Sequence, residues 1–195
     1  MSQSSAPVRE RPGGYRRSSS GLFGAMIATV AAVLLFVGLR SLTGGDPATP
    51  VQTVDWKISF QSGRADGHLQ VLAPAVLPSG WRATSASYTP EPAPDWHLGM
   101  LTPGTKYVGI DETQDDLQTL VSHTIDKSAT QGRDVTVAGQ TWHVFTDAGG
   151  DYALGRTVDL GGGQREAQLV GGSASPATVR AFVASLQAGK VHPGR

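Results

Sequence analysis

Apolar residues form one long run near the N-terminus and short periodic segments further along the chain. Residues 21–39 read GLFGAMIATVAAVLLFVGL, a run of 19 residues without a charge. A helix of that length is about 28 Å long, close to the hydrocarbon thickness of a bilayer. Lipid cannot form hydrogen bonds with backbone N–H and C=O groups, so these groups must bond to each other within a helix. The run therefore predicts a membrane-spanning helix, which includes Gly21, Leu22, Phe23, Leu34, Leu35, Phe36 and Leu39.

A cleaved signal peptide is the main alternative for this segment. Signal peptides have an apolar region of about 7–15 residues, followed by a cleavage site of the small-x-small type. The run is longer here, and Arg40 and Leu42 stand where small residues are expected. A retained membrane anchor is therefore the favoured interpretation.

The charges that flank the run predict its orientation. Residues 1–20 carry four arginines against the single acidic residue Glu10, whereas Arg40 alone adds a basic residue just after the run. Residues 41–195 hold 11 basic and 15 acidic side chains. Because arginine-rich flanks stay in the cytoplasm, we expect a single-pass plasma-membrane protein with a cytoplasmic N-terminus and an extracytoplasmic C-terminal domain.

The composition of each segment predicts five regions. Residues 1–20 are rich in Ser, Arg, Pro and Gly, which cannot form a core, so they predict a disordered basic tail. Residues 21–39 are the predicted transmembrane helix, and residues 40–53 a linker that contains Gly and Pro. Residues 54–188 are the predicted extracytoplasmic domain, and residues 189–195 a flexible tail.

Short segments in which apolar and polar residues alternate predict the secondary structure of the first half of the domain. Residues 56–64 fit either a strand or a helix, and residues 81–88 predict a strand. Residues 96–101 and 106–112 predict a hairpin. In its turn, Pro103-Gly104 favours type II geometry with a positive φ at the glycine.

The second half predicts two helices and four strands. Asp115 or Asp116 is the predicted N-cap of a helix that reaches about Ser128. Ser175 precedes Pro176 as the predicted N-cap of a final helix, whose apolar stripe comprises Val179, Phe182, Val183 and Leu186. The short loops between the strands force antiparallel pairing, in residues 133–137, 141–146, 152–160 and 165–170. The predicted fold class is α+β, a curved antiparallel sheet with helices packed on one face.

The composition excludes several functional classes. The chain has no cysteine, so it holds no disulfide, zinc ribbon, iron–sulfur cluster or thiol nucleophile. Its 16 basic and 16 acidic residues cancel, which is unlike the basic excess of nucleic-acid-binding proteins. We find no motif for catalysis, metal binding or phosphate binding, and we predict no cofactor and no nucleic-acid partner.

Three residues are the candidate contacts for a ligand or partner. His97 and His143 each follow a tryptophan in a predicted strand, so each side chain points away from that tryptophan, toward the outside if the tryptophan is buried. Trp56 is the least certain core residue of the four tryptophans, which makes it the third candidate because exposed aromatic side chains anchor ligands.

Several segments together resemble a known family. They are Val54-Asp55-Trp56, Val71-Leu72-Ala73-Pro74, the stretch LPSGWRATS at 77–85, and WHLG at 96–99. Later matches are KYVG at 106–109, VTVAG at 135–139 and Trp142. The chain resembles, over roughly residues 20–187, an actinobacterial single-span family called domain of unknown function 4245. The resemblance implies a bacterial membrane protein with an external domain and without an assigned reaction.

The sequence leaves three functions open. The leading prediction is a non-catalytic domain of the cell envelope that is anchored in the lipid bilayer and binds an unknown envelope ligand or protein. The alternatives are a cell-envelope hydrolase without a recognisable motif, and a transmembrane signalling module whose basic tail contacts a cytoplasmic partner. Oligomeric state is not predicted.

Overall fold

The computed structural model of the protein describes residues 52–189, which belong to one of its two compact units. The predicted tail and membrane-spanning segment, including Gly21, Leu22, Phe23, Leu34, Leu35, Phe36 and Leu39, lie outside these residues. The helices are α1 (Lys57–Asp66), α2 (Leu117–Thr124) and α3 (Pro176–Val183). None of these three is long and apolar enough to cross a membrane.

Ten strands accompany the helices within residues 52–189. They are β1 (Ala73–Pro74), β2 (Arg82–Thr89), β3 (Asp95–Leu101), β4 (Tyr107–Thr113), β5 (Thr130–Gln131), β6 (Val135–Val137), β7 (Gln140–Thr146), β8 (Tyr152–Gly161), β9 (Gln164–Gly172) and β10 (Leu186–Gln187). The main sheet has the order β2-β3-β4-β9-β8-β7-β5, and β6 also pairs with β7. Every pairing is antiparallel, including that of β1 with β10. The predicted α+β class with an antiparallel sheet is confirmed.

The sheet has apolar residues on both faces. On what we call the inner face, Trp96, Ile110 and Leu154 pack with residues of α1 and α3 in the larger core. On the outer face, Phe145 and Leu169 belong to a separate, smaller core. Successive residues of a strand point to opposite faces, so β7, β8 and β9 need cover on both sides.

Helix α2 supplies the cover on the outer face. Its Leu120 and Val121 pack against Phe145, Ala153 and Leu169. The prediction that all helices pack on one face is therefore wrong for α2. The predicted N-cap is confirmed: Asp116 accepts a hydrogen bond from the Thr119 N–H at 2.9 Å.

Residues 56–64, which fitted a strand or a helix, form most of α1. Trp56 and Phe60 lie one helical turn apart and pack edge to face, with ring centroids 5.5 Å apart. Ile58, which a strand would place on the same side, is 67 % exposed. The helix ends at Gly67, whose φ of +75° is the left-handed conformation that glycine adopts without strain.

Three details of the predicted elements are wrong. Helix α2 ends at Thr124, short of the predicted Ser128. Helix α3 ends at Val183, so Leu186 is no part of its stripe and instead pairs with Pro74 in the β10–β1 ladder. In the β3–β4 hairpin, the positive φ of +57° lies at Thr105 rather than at Gly104. The Thr102 carbonyl accepts from the Thr105 N–H at 2.9 Å, and a type I turn followed by a left-handed residue closes this three-residue loop.

Close contact of the sheet strands generates the first prediction. Gly171 of β9 lies opposite Ala153 of β8 and Gly109 of β4, and a Cβ at Gly171 would overlap Ala153. We expect Gly171→Ala to lower the free energy of unfolding by about 2 kcal/mol, because a packed strand pair must separate. Urea denaturation followed by tryptophan fluorescence measures this loss.

Gly104→Ala is the matched control. Its nearest neighbour would be Thr102 Oγ1 at 3.9 Å, an ordinary contact, and its φ is not positive. We expect this variant to unfold like the wild type. Equal midpoints for the two variants would contradict the pairing of β8 with β9 at this register.

Candidate functional site

The inner face carries a cleft of about 770 Å³. It lies between the β6–β7 hairpin, the middle of β8 and the chain that follows α3. Its volume is in the range of cavities that hold small molecules. The residues that matter for its chemistry are Gln70, Leu72, Gln140, Trp142, Arg156 and Leu186.

A tight hairpin forms one wall of the cleft. Ala138 and Gly139 have φ values of +48° and +77°, as the two central residues of a type I′ turn require. The turn pairs Val137 with Gln140 and Val135 with Trp142. The hairpin thereby places the Gln140 amide at the rim and the Trp142 indole in the buried wall.

Arg156 is the central cation of the cleft. Its guanidinium lies over the Trp142 ring, 4.4 Å from the centroid. Arg156 Nε donates to Gln168 Oε1 at 2.8 Å, and another guanidinium nitrogen donates to Gln140 Oε1 at 3.1 Å. These contacts fix the orientation of the guanidinium plane, because it must stack on the Trp142 ring and donate to both glutamine side chains at once.

Arg156 has no direct carboxylate partner within the described residues. Each ion pair found in residues 52–189 involves a histidine. Burial lowers the pKa of Arg156, and the negative charge of Glu166 partly offsets this effect. A half-buried arginine that faces a cleft without an adjacent carboxylate is well suited to bind an anion.

Two fully buried glutamates lie behind the cleft. Glu166 accepts hydrogen bonds from the Gln70 N–H at 2.7 Å and from Gln168 Nε2 at 2.7 Å. Glu112 accepts from the Leu72 N–H at 2.6 Å. Gln168 therefore links the Arg156 guanidinium to the Glu166 carboxylate, and the two glutamates hold the backbone of residues 70–72 against the sheet.

The surroundings of Glu112 favour its neutral form. Burial raises the pKa of Glu112 well above its usual value, and the charge of Glu166 and a hydrogen bond to Glu166 raise it further. Two adjacent buried carboxylates cannot both be ionised. The raised pKa of Glu112 favours its protonated form. In that form Glu112 would donate to Glu166, which would give a partner to Glu112 Oε2, the oxygen that no N–H or hydroxyl of the described residues reaches.

Trp142 presents a further unpaired donor. Its Nε1 is buried without an acceptor among residues 52–189. Its ring is covered by Arg156 on one side. The Arg156 guanidinium and this unpaired indole N–H thus belong to residues that line the same cleft.

The candidate contacts His97, His143 and Trp56 are not brought together. Trp56 is buried in the larger core and borders a second, smaller pocket of about 320 Å³ with Phe60 and Arg64. His143 lies on the outer face, where its Nδ1 is 2.7 Å from Asp134. His97 is also on the outer face, paired with Asp111, and its neighbouring tryptophan is buried on the inner face as predicted.

Sequence reasoning missed the residues that build the cleft. Glu112 ends the predicted strand 106–112 and has no predicted role, yet it is fully buried behind the cleft. The alternation of side chains along a strand could have revealed this burial. Glu112 follows Ile110 by two residues, so both side chains point to the same buried face. A charged residue at such a position requires a buried partner.

The pair of glutamates generates a prediction about pH. The native state holds a proton on Glu112 that the unfolded chain releases above its ordinary pKa of 4.5. The free energy of unfolding therefore falls as pH rises from 4.5 toward the raised native pKa, with a slope of at most about 1.4 kcal/mol per pH unit for one proton.

Glu112→Gln tests this assignment. Its amide donates to Glu166 and accepts from Leu72 at any pH, so we expect this contribution to the pH dependence to disappear while the fold is kept. Glu112→Ala leaves the Leu72 N–H without its acceptor and should cost about 1–3 kcal/mol. Urea denaturation between pH 5 and 9 measures both. An unchanged slope in Glu112→Gln would show that Glu112 is not the titrating group.

Structural neighbours of the chain are remote. The crystal structure of MucB in complex with MucA(peri) aligns at 12% identity and a TM-score of 0.34, over 62% of this chain and 37% of that one. The complex structure of Pseudomonas aeruginosa MucA/MucB gives the same identity and TM-score, over 62% of this chain and 35% of that one. The chain thus spans little more than a third of these relatives.

The family relation comes from the sequence itself. The chain has no match among curated proteins. It does match the family described as "Protein of unknown function (DUF4245)" over residues 15–186, which takes in nearly all of the described residues and the apolar run. The chain belongs to the DUF4245 family.

Proposed function

We propose that this protein is a single-pass protein of the actinobacterial plasma membrane whose extracytoplasmic domain binds an anionic ligand of the cell envelope. The cleft around Arg156 is the observation that carries the ligand-binding part. The uncharged run at residues 21–39 and the arginines before it support the anchor and its orientation.

The charged and apolar groups that line the cleft indicate which kind of ligand it would bind. Arg156 offers its remaining N–H groups to a carboxylate or phosphate, and Gln140 orients it from the side. Leu72, Val183 and Leu186 supply apolar surface beside this cation. The ligand is therefore an anion that carries an apolar body.

The absence of cysteine from the chain makes the topology directly testable. We expect a cysteine introduced by Ser79→Cys, which is exposed in the domain, to react with a membrane-impermeant maleimide in intact cells. We expect Ser4→Cys to react only after the cells are permeabilised. Both proteins should stay with the membrane fraction after a carbonate wash.

Three results would contradict the proposed topology. Labelling of Ser4→Cys in intact cells would reverse the orientation. A mature protein that lacks the Ser4→Cys site would show that the segment is cleaved. Release of the intact chain by carbonate would show that it does not span the membrane.

Ligand binding is tested with three small probes of matched size. Hexanoate carries an apolar chain and a carboxylate, hexanamide is its neutral counterpart, and hexylammonium is its cationic counterpart. We expect hexanoate alone to change the tryptophan fluorescence of the full chain in a saturable way. Arg156→Gln should weaken this binding by about tenfold or more, as expected for the loss of a charged hydrogen-bond donor.

Arg165→Gln is the control variant. Arg165 is exposed on β9 and does not line the cleft, so hexanoate should bind this variant like the wild type. Equal binding of hexanamide, or an equal loss in both arginine variants, would refute an anion site at Arg156.

A further inference from the structure

Three polar side chains form a connected row on the outer face, away from the cleft. Ser85 of β2, His97 of β3 and Asp111 of β4 lie on three neighbouring strands. Ser85 Oγ is 2.8 Å from His97 Nε2, and Asp111 Oδ1 is 2.7 Å from His97 Nδ1. Antiparallel register creates this row, because His97 pairs directly with Asp111 and Ser85 pairs with Gly99, two residues along β3.

The two contacts of His97 assign its roles. The carboxylate of Asp111 accepts a hydrogen bond from the Nδ1–H of His97, which leaves Nε2 as the acceptor for the Ser85 hydroxyl. This is the arrangement in which a histidine acts as general base toward a serine nucleophile. We propose that Ser85, His97 and Asp111 form a serine-hydrolase site that cleaves an uncharged acyl ester, as an activity separate from ligand binding in the cleft.

Two glycines allow the polar side chains of this row to approach the strand backbone closely. A Cβ at Gly99 would overlap Ser85 Oγ and lie 3.1 Å from the Tyr107 hydroxyl and 3.2 Å from His97 Nε2. A Cβ at Gly109 would lie 2.8 Å from the same hydroxyl. The serine oxygen, the histidine nitrogen and the tyrosine hydroxyl thus converge beside Gly99, where a side chain would otherwise block them.

Tyr107 is placed to stabilise the developing oxyanion. Burial raises the pKa of Tyr107 to about 12, so its hydroxyl remains a hydrogen-bond donor at neutral pH. A tyrosine hydroxyl is among the groups that stabilise tetrahedral intermediates of acyl transfer. The carboxylates of Asp95 and Asp111 near His97 disfavour a negatively charged substrate, which is why the proposed ester is uncharged.

The site is open to solvent. The side chain of His97 is 28 % exposed and that of Asp111 16 % exposed. Helix α2 covers the neighbouring part of this face from Leu169 onward, and Leu169 is the residue of β9 that pairs with Asp111. The cover that α2 provides therefore reaches β9, the strand next to Asp111.

The reaction balances without a metal or cofactor. Ser85 Oγ attacks the ester carbonyl carbon while its proton moves to His97 Nε2. The alcohol leaves with that proton, and the acyl group remains on Ser85. Water then attacks the acyl-serine, gives a proton to His97, and releases the carboxylic acid as the proton returns to Ser85.

The test uses an alkyl fluorophosphonate, which phosphonylates activated serines, on the full chain in detergent micelles. We expect one adduct per chain, located at Ser85 by peptide mass spectrometry, and no adduct in Ser85→Ala. Ser87→Ala is the matched control, since Ser87 lies on the same strand, two residues away, directly opposite His97. It should be labelled at the wild-type rate.

His97 and Asp111 are tested by the rate of labelling and its pH profile. His97→Gln should slow labelling at least about a hundredfold. The hydrogen bond to Asp111 raises the pKa of His97, and the charges of Asp111 and Asp95 raise it further against the opposing effect of burial. Labelling should therefore increase with pH to a midpoint above 6.5, and Asp111→Asn should lower both this midpoint and the maximal rate.

Two results would contradict the assignment of Ser85 as a nucleophile. Labelling of Ser85→Ala at the wild-type rate, or a Ser85 that reacts no faster than Ser87, would show a static hydrogen-bond network. The Asp111→Asn and Ser85→Ala chains should keep the melting temperature of the wild type within a few degrees, so a lost signal in a folded variant reports chemistry. These outcomes do not depend on Arg156 or on hexanoate binding.

Discussion

The interaction on which the domain depends is the pair of buried glutamates that supports residues 70–72. This segment crosses the inner face of the sheet without a strand partner, so its backbone groups need other partners. Glu166 accepts from the Gln70 N–H, Glu112 accepts from the Leu72 N–H, and Trp96 Nε1 donates to the Leu72 carbonyl at 3.0 Å. Val71 between them has a φ of +49°, a strained conformation for a β-branched residue. Such strain persists only because its neighbours are held on both sides.

The same network connects the fold to the cleft. The two glutamates accept from the N–H groups of Gln70 and Leu72, and Gln168 connects Glu166 to the Arg156 guanidinium. Replacing the pair with apolar residues would remove the acceptors for Gln70 and Leu72 and also leave Arg156 without its nearest negative charge. The position of Arg156 in the cleft and the course of residues 70–72 are therefore consequences of one arrangement of polar groups.

The sequence predicted what depends on local chemistry. The β3–β4 hairpin, the N-caps Asp116 and Ser175, and the outward direction of His97 follow from turn residues, capping and the period of two. What it could not predict depends on pairings between distant segments. The contact of β4 with β9 brings Glu112 beside Gln168, 56 positions later in the chain. The sequence around Glu112 does not indicate that it contacts Gln168, and the sequence around Gln168 does not indicate it either. Likewise, nothing local shows that Ser85 reaches His97, because the register of β2 is shifted by an irregularity between Ala83 and Ser85.

The alternation of strand residues couples the two faces of the sheet. On β4, Asp111 points to the outer row while Glu112, the next residue, points into the buried pair. On β3, His97 belongs to the outer row while Trp96 supports the Leu72 carbonyl on the inner side. On each of these strands, two adjacent residues thus support the buried segment behind the cleft on one face and the polar row on the other. A shift of one residue would exchange the faces of every side chain on a strand, so one register determines both arrangements. In another register the Gln70 and Leu72 N–H groups would be buried without their glutamate acceptors, which costs free energy.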